Sequence, residues 1–200
     1  MQQFADEHTL FADWNVLSVN LEKSDKREEN TGFLGGGLKI KGIVVYDTSY
    51  GNTRKVAETI AETLKESGIE IDLFDVKGVK KLSAKAYDFL VLGSPTRFGT
   101  MSFAIRGFLG KVKKEEWMSK PFAAFDTENP ENIEKARAEN KEWSAGEKIS
   151  EKLRDKKMKQ LLPVFKALVL GQKGPLQEGE IDRTKDYARE LDAKLKKEKV

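Results

Sequence analysis

The sequence predicts an α/β fold: a doubly wound, five-stranded parallel sheet of order 2-1-3-4-5 with helices on both faces. Apolar runs of strand length alternate with segments of helical periodicity from residue 39 onward, as is typical of a parallel sheet covered by helices. The first apolar run ends in a cluster of hydroxyls and a glycine, directly before a helical pattern. In such a sheet, ligands bind beyond the carboxyl ends of the strands, here between strands one and three.

The first half of this domain has clear element boundaries. Strand one is predicted over Lys39–Tyr46, and the next helix begins near Asn52 and ends at Ser67-Gly68, where the glycine stops it. Strand two, Ile69–Val76, alternates apolar and charged residues, which places it at an edge of the sheet. A short helix is predicted near Leu82–Lys85.

The second half continues the alternation. Strand three is continuously apolar and therefore central. The predicted elements are strand three at Phe89–Leu92, a helix at Ser102–Leu109 with Ser102 as N-cap, strand four at Pro121–Phe125, a long polar loop to Trp143, a helix from Ala145 into the 150s, strand five at Ala167–Leu170 without an insertion, and a helix at Glu180–Lys197.

Length and composition suit one domain, residues 39–200, with an N-terminal extension, residues 1–38. The 200 residues are 38% hydrophobic and 34% charged, and the mean hydropathy is −0.57. No apolar run approaches the roughly 20 residues of a membrane span, so we expect no membrane segment. The first residues lack a secretory pattern, so the expected location is the cytoplasm.

Charge is distributed unevenly. Residues 1–38 contain seven acids and three bases, so they have a formal charge of −4. Because the whole chain has +3, residues 39–200 have +7. The lysines are dispersed over helices rather than interleaved with aromatics, which argues against nucleic-acid binding. A basic domain favours acidic protein partners.

Cysteine is absent and His8 is the only histidine. This excludes disulfides, thiolate nucleophiles and iron–sulfur clusters, and no metal site is predicted. Redox chemistry would therefore depend on a bound organic cofactor.

The turn after strand one is predicted to hold a terminal phosphate. The free N–H groups at a helix N-terminus attract anions, and glycine lets the backbone come close. The residues concerned are Thr48, Ser49, Tyr50, Gly51, Asn52 and Thr53. The motifs of nucleoside-triphosphate loops and of dinucleotide-binding turns are both missing here, and a cysteine phosphatase would need a cysteine. The alternative is an ordinary strand-to-helix turn capped by Asn52 or Thr48.

This turn resembles the phosphate loop of flavodoxins, usually Ser/Thr-x-Ser/Thr-Gly-x-Thr, with Tyr50 where many members have threonine. An aromatic residue at this position occurs in flavodoxin-like quinone oxidoreductases. The resemblance covers about residues 40–198 and is strongest at Asp47–Thr53 and Gly93–Phe108. It implies FMN as the cofactor.

The topology requires the loop after strand three to cover the rest of the ligand. This loop offers an aromatic ring, a guanidinium and hydroxyls, which suit an isoalloxazine ring. Its residues are Ser94, Pro95, Thr96, Arg97, Phe98 and Gly99. The segment is similar to the flavin loop of NAD(P)H-dependent quinone oxidoreductases related to the tryptophan-repressor-binding protein.

A third loop, Phe125–Pro130, follows strand four, and in the geometry of the family this loop, with Asp126 as its candidate site residue, would contact the flavin from the other side. Where the oxidoreductases usually have a catalytic histidine or an equivalent side chain, this chain has only Asp126–Glu128. No catalytic residue is therefore predicted.

The resemblance implies a carrier that passes electrons between redox partner proteins. The alternative is an NAD(P)H:quinone oxidoreductase, and the oligomeric state is left open. A phospho-receiver of the same topology is disfavoured, because strand three ends in Gly93-Ser94 rather than in aspartate.

Overall fold

A computed structural model describes residues 39–80, 82–139, 141 and 143–198. The predicted extension, including His8, lies outside the described residues. Twelve helices and strands position the site: β1 Lys41–Tyr46, α1 Asn52–Glu66, β2 Glu70–Asp75, β3 Phe89–Pro95, α2 Phe103–Lys111, α3 Lys114–Trp117, β4 Pro121–Glu128, α4 Pro130–Ala138, α5 Ala145–Asp155, β5 Lys159–Gln160, β6 Phe165–Leu168 and α6 Glu180–Glu198. The short helix predicted near Leu82–Lys85 is a 3₁₀ turn at Ala84–Ala86.

The strands form a parallel sheet in which β2, β1, β3 and β4 lie side by side. The fifth position is shared, since β5 pairs with the start of β4 and β6 pairs with its end. The predicted order 2-1-3-4-5 is confirmed. The prediction of an uninterrupted strand five is wrong: residues 161–164 separate its two segments, and Pro163 lacks the N–H that a continuous ladder needs.

Both faces of the sheet are covered, as predicted. Helices α1 and α6 bury Val56, Ile60 and Leu191 against one face. Helices α2 and α5 bury Ile105 and Ile149 against the other face. None of the described helices combines the length and apolar character needed to cross a bilayer.

Two glycines in the sheet make room for aromatic rings on neighbouring strands. Gly93 is in register with Phe125, and a Cβ added to Gly93 would lie 2.0 Å from the Phe125 ring. Gly42 and Phe89 form the equivalent pair between β1 and β3, at 2.1 Å. Ring packing therefore accounts for Gly93 at the end of the apolar run of β3.

Three predicted boundaries need correction. Strand β3 extends to Pro95 and β4 to Glu128, so Ser94 and Asp126 belong to strands rather than to loops. The long polar loop before Trp143 contains a helix, α4, which begins with an Asn129 N-cap and a proline in its first turn.

Candidate functional site

The turn between β1 and α1 is built around a left-handed glycine. Gly51 has φ +85°, and its N–H donates to Thr48 Oγ1 over 3.0 Å. The N-cap residue of α1 is Gly51, which has no side chain, and among the described residues neither Thr48 nor Asn52 caps this helix as in an ordinary turn. The first-turn N–H groups of α1 are therefore left for an external acceptor, and the positive end of the helix dipole favours an anion there.

Asn52 has a different partner. Its Nδ2 donates to the carbonyl of Lys173 over 2.9 Å, which ties the segment after β6 to the turn. A Cβ on Gly174 would lie 2.3 Å from the Asn52 amide, so only glycine allows this contact. Leu170 N–H donates to Pro175 O over 2.8 Å and closes the segment into a narrow loop beside α1.

The loop after β3 is a short hairpin. Arg97 and Thr100 exchange two backbone hydrogen bonds of 2.9 and 3.0 Å, and the two residues between them, Phe98 and Gly99, have φ +49° and +70°. Two positive φ values are the pattern of a tight hairpin turn that favours glycine and asparagine. Phenylalanine at this position is unusual, and the turn leaves the Phe98 ring fully exposed at the tip.

Other residues hold this hairpin in place. Ser94 is fully buried, and its Oγ accepts from Ser102 N–H over 3.0 Å. The Arg97 guanidinium lies 6.0 Å from the centroid of the Tyr50 ring, within range of a cation–π contact. The loops after β1 and β3 therefore meet through Arg97 and Tyr50, as the topology predicts.

Asp126 lies beneath the hairpin at the N-terminus of α5. Its Oδ2 accepts from Thr96 Oγ1 at 3.0 Å, Ser144 Oγ at 2.7 Å and Gly146 N–H at 2.9 Å, while the buried Oδ1 has no partner among the described residues. Burial raises the pKa of this carboxyl, and the hydrogen bonds and Lys166 offset only part of the rise. Asp126 thus links β4, α5 and the hairpin.

An aromatic wall closes the side next to α4. Gly99 packs against Trp143, because a Cβ on Gly99 would lie 2.8 Å from the indole Cγ. The ammonium groups of Lys135 and Lys141 lie 5.8 and 5.6 Å from the Trp143 ring centroid. The indole is thus held by a glycine and two cations.

These elements enclose a cavity of about 610 Å³ at the carboxyl edge of the sheet. Its volume lies within the usual range for cofactor sites, roughly 300–1,000 Å³. The predicted site residues that line it are Thr48, Ser49, Tyr50, Asn52, Thr53, Pro95, Thr96, Arg97, Phe98 and Gly99. Gly51 shapes the turn, while Ser94 and Asp126 are buried behind the lining and support it.

Thr127 and Asn129, which belong to the predicted third loop, also line the cavity. The lining residues that the sequence did not predict are Asn132, Lys135, Val169, Gly171 and Gln172. Thr127 directly follows Asp126 near the end of β4. Its hydroxyl lies 2.8 Å from that of Thr53, with which it shares a buried hydrogen bond. The residues of α4 and of the segment after β6 enter the site only through tertiary folding.

Part of the amino-acid sequence is similar to that of characterised proteins. The chain is 37% identical to a flavodoxin of Aquifex aeolicus over 78 residues, which span 38% of this chain and 42% of that protein. It is 32% identical to protoporphyrinogen IX dehydrogenase [quinone] of Escherichia coli K12 over 72 residues, 36% of this chain and 40% of that protein. The chain thus spans about two fifths of the length of these curated relatives.

Solved structures share the fold. A flavodoxin from the domain Archaea superimposes with a TM-score of 0.63 at 23% identity, over 78% of this chain and 99% of that one. A WrbA-like flavodoxin from Agrobacterium tumefaciens gives 0.60 at 17% identity, over 80% and 99%. The sequence profile of the Flavodoxin domain family matches residues 43–171, well over half of the chain. The chain therefore belongs to the flavodoxin family.

Proposed function

We propose that the protein is a cytoplasmic electron carrier that binds FMN in the 610 Å³ cavity and exchanges electrons with redox partner proteins. The observation that carries this proposal is the uncapped N-terminus of α1 facing a cavity with hydroxyl and aromatic walls. The flavodoxin fold is that of flavin-binding proteins. FMN, when bound, would supply the one- and two-electron chemistry that the side chains lack.

The lining fits a flavin phosphate from one end to the other. The turn at Thr48–Thr53 offers hydroxyls and backbone N–H groups for a phosphate without any lysine, which suits a monoester better than a triphosphate. Phe98 and Trp143 provide flat apolar surfaces for a ring system. Asn132 and Gln172 add amide groups that can orient polar edges of a heterocycle.

Arg97 has a second role in this proposal. Its cation lies at the cavity beside Tyr50 and favours a negatively charged, reduced flavin ring. Residues 39–200 contain no histidine and no cysteine that could act as a catalytic side chain. Both features support a protein that sets the potential and the access of its cofactor.

NAD(P)H:quinone oxidoreductase activity is the second candidate. Its support is the loop Pro95–Gly99, which resembles that of the quinone oxidoreductases, and the cavity wall formed by Trp143, where a planar second substrate could stack. Related curated proteins include an NAD(P)H dehydrogenase (quinone) of Methylocella silvestris, 34% identical over 92 residues, which span 36% of this chain and 46% of that protein.

One experiment separates the two candidates. FMN-loaded protein is mixed with NADPH and a soluble quinone, and NADPH consumption is followed at 340 nm. The carrier assignment predicts turnover no faster than that of free FMN at the same concentration. Saturable consumption well above that background would assign the enzyme instead.

A further inference from the structure

Helix α2 presents a bare outer face. Phe103, Arg106, Gly107 and Gly110 are exposed at spacing i, i+3, i+4 and i+7, so they lie along one side of the helix. The Phe103 side chain is 87% exposed, although phenylalanine is usually buried. We call these four residues, together with Phe98, the α2 patch.

Neither the packing nor the backbone conformation of the described domain requires glycine at the two glycine positions of this patch. A Cβ added to Gly107 or Gly110 meets no atom within 4 Å, and neither glycine has a positive φ. Alanine would therefore fit at both positions, and it is the better helix former. Glycine in an exposed helix becomes useful when another backbone must approach the helix closely.

The hairpin tip and the helix face form one surface. The Arg106 guanidinium lies 5.4 Å from the Phe103 ring centroid and 3.5 Å from the Thr100 hydroxyl of the hairpin. Arg106 thus bridges the helix face to the loop that carries Phe98, and Phe98 also lines the cavity. A partner seated on the α2 patch would reach the mouth of the cofactor cavity.

The charge around the patch identifies the kind of partner. Residues 89–116 contain five bases, Arg97, Arg106, Lys111, Lys113 and Lys114, and two acids, Glu115 and Glu116, so the segment has a formal charge of +3 (five minus two). Glu116 pairs with Lys113, whereas Arg97 and Arg106 lie at the patch. A second copy docked by two-fold symmetry would bring two such basic surfaces together, which opposes self-association. An acidic surface would be attracted, and its apolar centre would bury the two phenylalanines.

We propose that the α2 patch is the docking surface for an acidic redox protein, which places the redox centre of that protein next to the cavity mouth. This inference rests on the proposed carrier function. It assigns recognition to Phe98, Phe103 and Arg106 and close approach to Gly107 and Gly110.

The test is an amide chemical-shift titration of the isotope-labelled, FMN-loaded full chain with an acidic plant-type ferredoxin at low salt. We expect the shifts and broadening to concentrate at residues 98–111, and the apparent Kd to rise about tenfold for Arg106→Glu or on addition of salt. Phe103→Ser should weaken binding about fivefold, since an exposed anchor is lost without damage to the core. Basic cytochrome c should bind more weakly than the ferredoxin.

Arg189→Glu on α6 is the matched control, because Arg189 is exposed and the charge change is the same. It should leave the Kd within about twofold at low salt. Perturbations located away from α2, or equal effects of Arg106→Glu and Arg189→Glu, would overturn the docking surface. A dimer in sedimentation that Phe103→Ser dissociates would assign the patch to a second copy and overturn the proposal as well.

The visible spectrum of the same sample distinguishes failure of the carrier function from failure of the docking surface. A colourless sample after FMN addition would defeat the carrier function and the docking proposal with it. A normal flavin spectrum combined with no response of the α2 patch would defeat the docking proposal alone.

Discussion

Asp126 is a buried acidic residue whose hydrogen bonds join three segments of the fold. Three donors converge on its Oδ2, from the hairpin, from the α5 N-cap and from the α5 backbone. The N-terminal end of α5 is a favourable place for a negative charge, but complete burial works against ionisation. The hydrogen bond from Thr96 to Asp126 keeps Thr96 at the cavity wall, which makes Asp126 a positioning residue.

The raised pKa of Asp126 gives the free energy of unfolding a definite pH dependence. Because the folded-state pKa lies above the unfolded value, the folded protein holds this proton more tightly. Stability should therefore fall as the pH rises from about 4 toward the folded-state pKa, by at most about 1.4 kcal/mol per pH unit.

Asp126→Asn should remove this slope, because it cannot ionise and its oxygen can still accept hydrogen bonds. Urea unfolding of both proteins between pH 4 and pH 8 measures the difference. Identical pH profiles for the two proteins would contradict the assignment.

Gly51→Ala tests the phosphate turn. A side chain at φ +85° costs roughly 1–2 kcal/mol, so the turn should loosen and shift its N–H groups. We expect about a tenfold loss of FMN affinity in a fluorescence titration, equivalent to roughly 1.4 kcal/mol, and little change for riboflavin, which has no phosphate. Gly107→Ala is the control, since that glycine has open space around it, and it should bind both flavins normally.

Arg97→Ala tests the electrostatic role of the guanidinium. An exposed cation near the reduced ring contributes about 1 kcal/mol after solvent screening, which is roughly 40 mV for one electron. The potential for full reduction of the bound flavin should fall by about that amount in a redox titration. Arg189→Ala should leave the potential unchanged, and an unchanged potential in Arg97→Ala would remove Arg97 from this role.

At the scale of elements, the sequence was most informative where burial is strongest. The apolar runs of β1 and β3 and the stripe of α1 predict their own elements. Helix α4 was predicted as loop because Ala136 is its only fully buried residue, although Asn129 and Pro130 carry ordinary helix-start signals. Strand β5 is two polar residues long and depends on its pairing with β4.

Replacement of glycine by alanine should change the free energy of unfolding in opposite directions on different elements. Gly107→Ala combined with Gly110→Ala should raise the free energy of unfolding by about 1–2 kcal/mol, because both positions are open and helical. Gly93→Ala should lower it by roughly 1–3 kcal/mol or more, because the Phe125 ring occupies the space of the new methyl group. Urea unfolding checks both, and destabilisation by the helical pair would show that α2 needs its glycines for folding.

At the scale of the whole molecule, topology explains why part of the site could be predicted. Strands β1 and β3 are parallel neighbours, so the loops that follow them lie side by side although they are far apart in the sequence. The side chains of Asn132 and Gln172 reach the cavity from α4 and from the segment after β6. Their place depends on how those elements pack, and no local pattern encodes it.

Cofactor binding should stabilise the whole domain by mass action. FMN at 100 times its Kd should add about 2.7 kcal/mol to the free energy of unfolding, if it binds only the folded chain. Thermal melts at increasing FMN should show a continuous rise in Tm. A Tm independent of FMN would contradict binding to the native fold.

A parallel fluorescence titration of the protein with FMN and with riboflavin tests FMN binding in this cavity directly. The two ligands share the ring and differ in the terminal phosphate, so their affinity ratio reports the turn at Thr48–Thr53 alone. We predict that FMN binds at least about 100-fold more tightly, since a phosphate held by several N–H and hydroxyl donors contributes on the order of 3 kcal/mol. Equal affinities, or no binding of either flavin, would contradict recognition of the FMN phosphate by this turn.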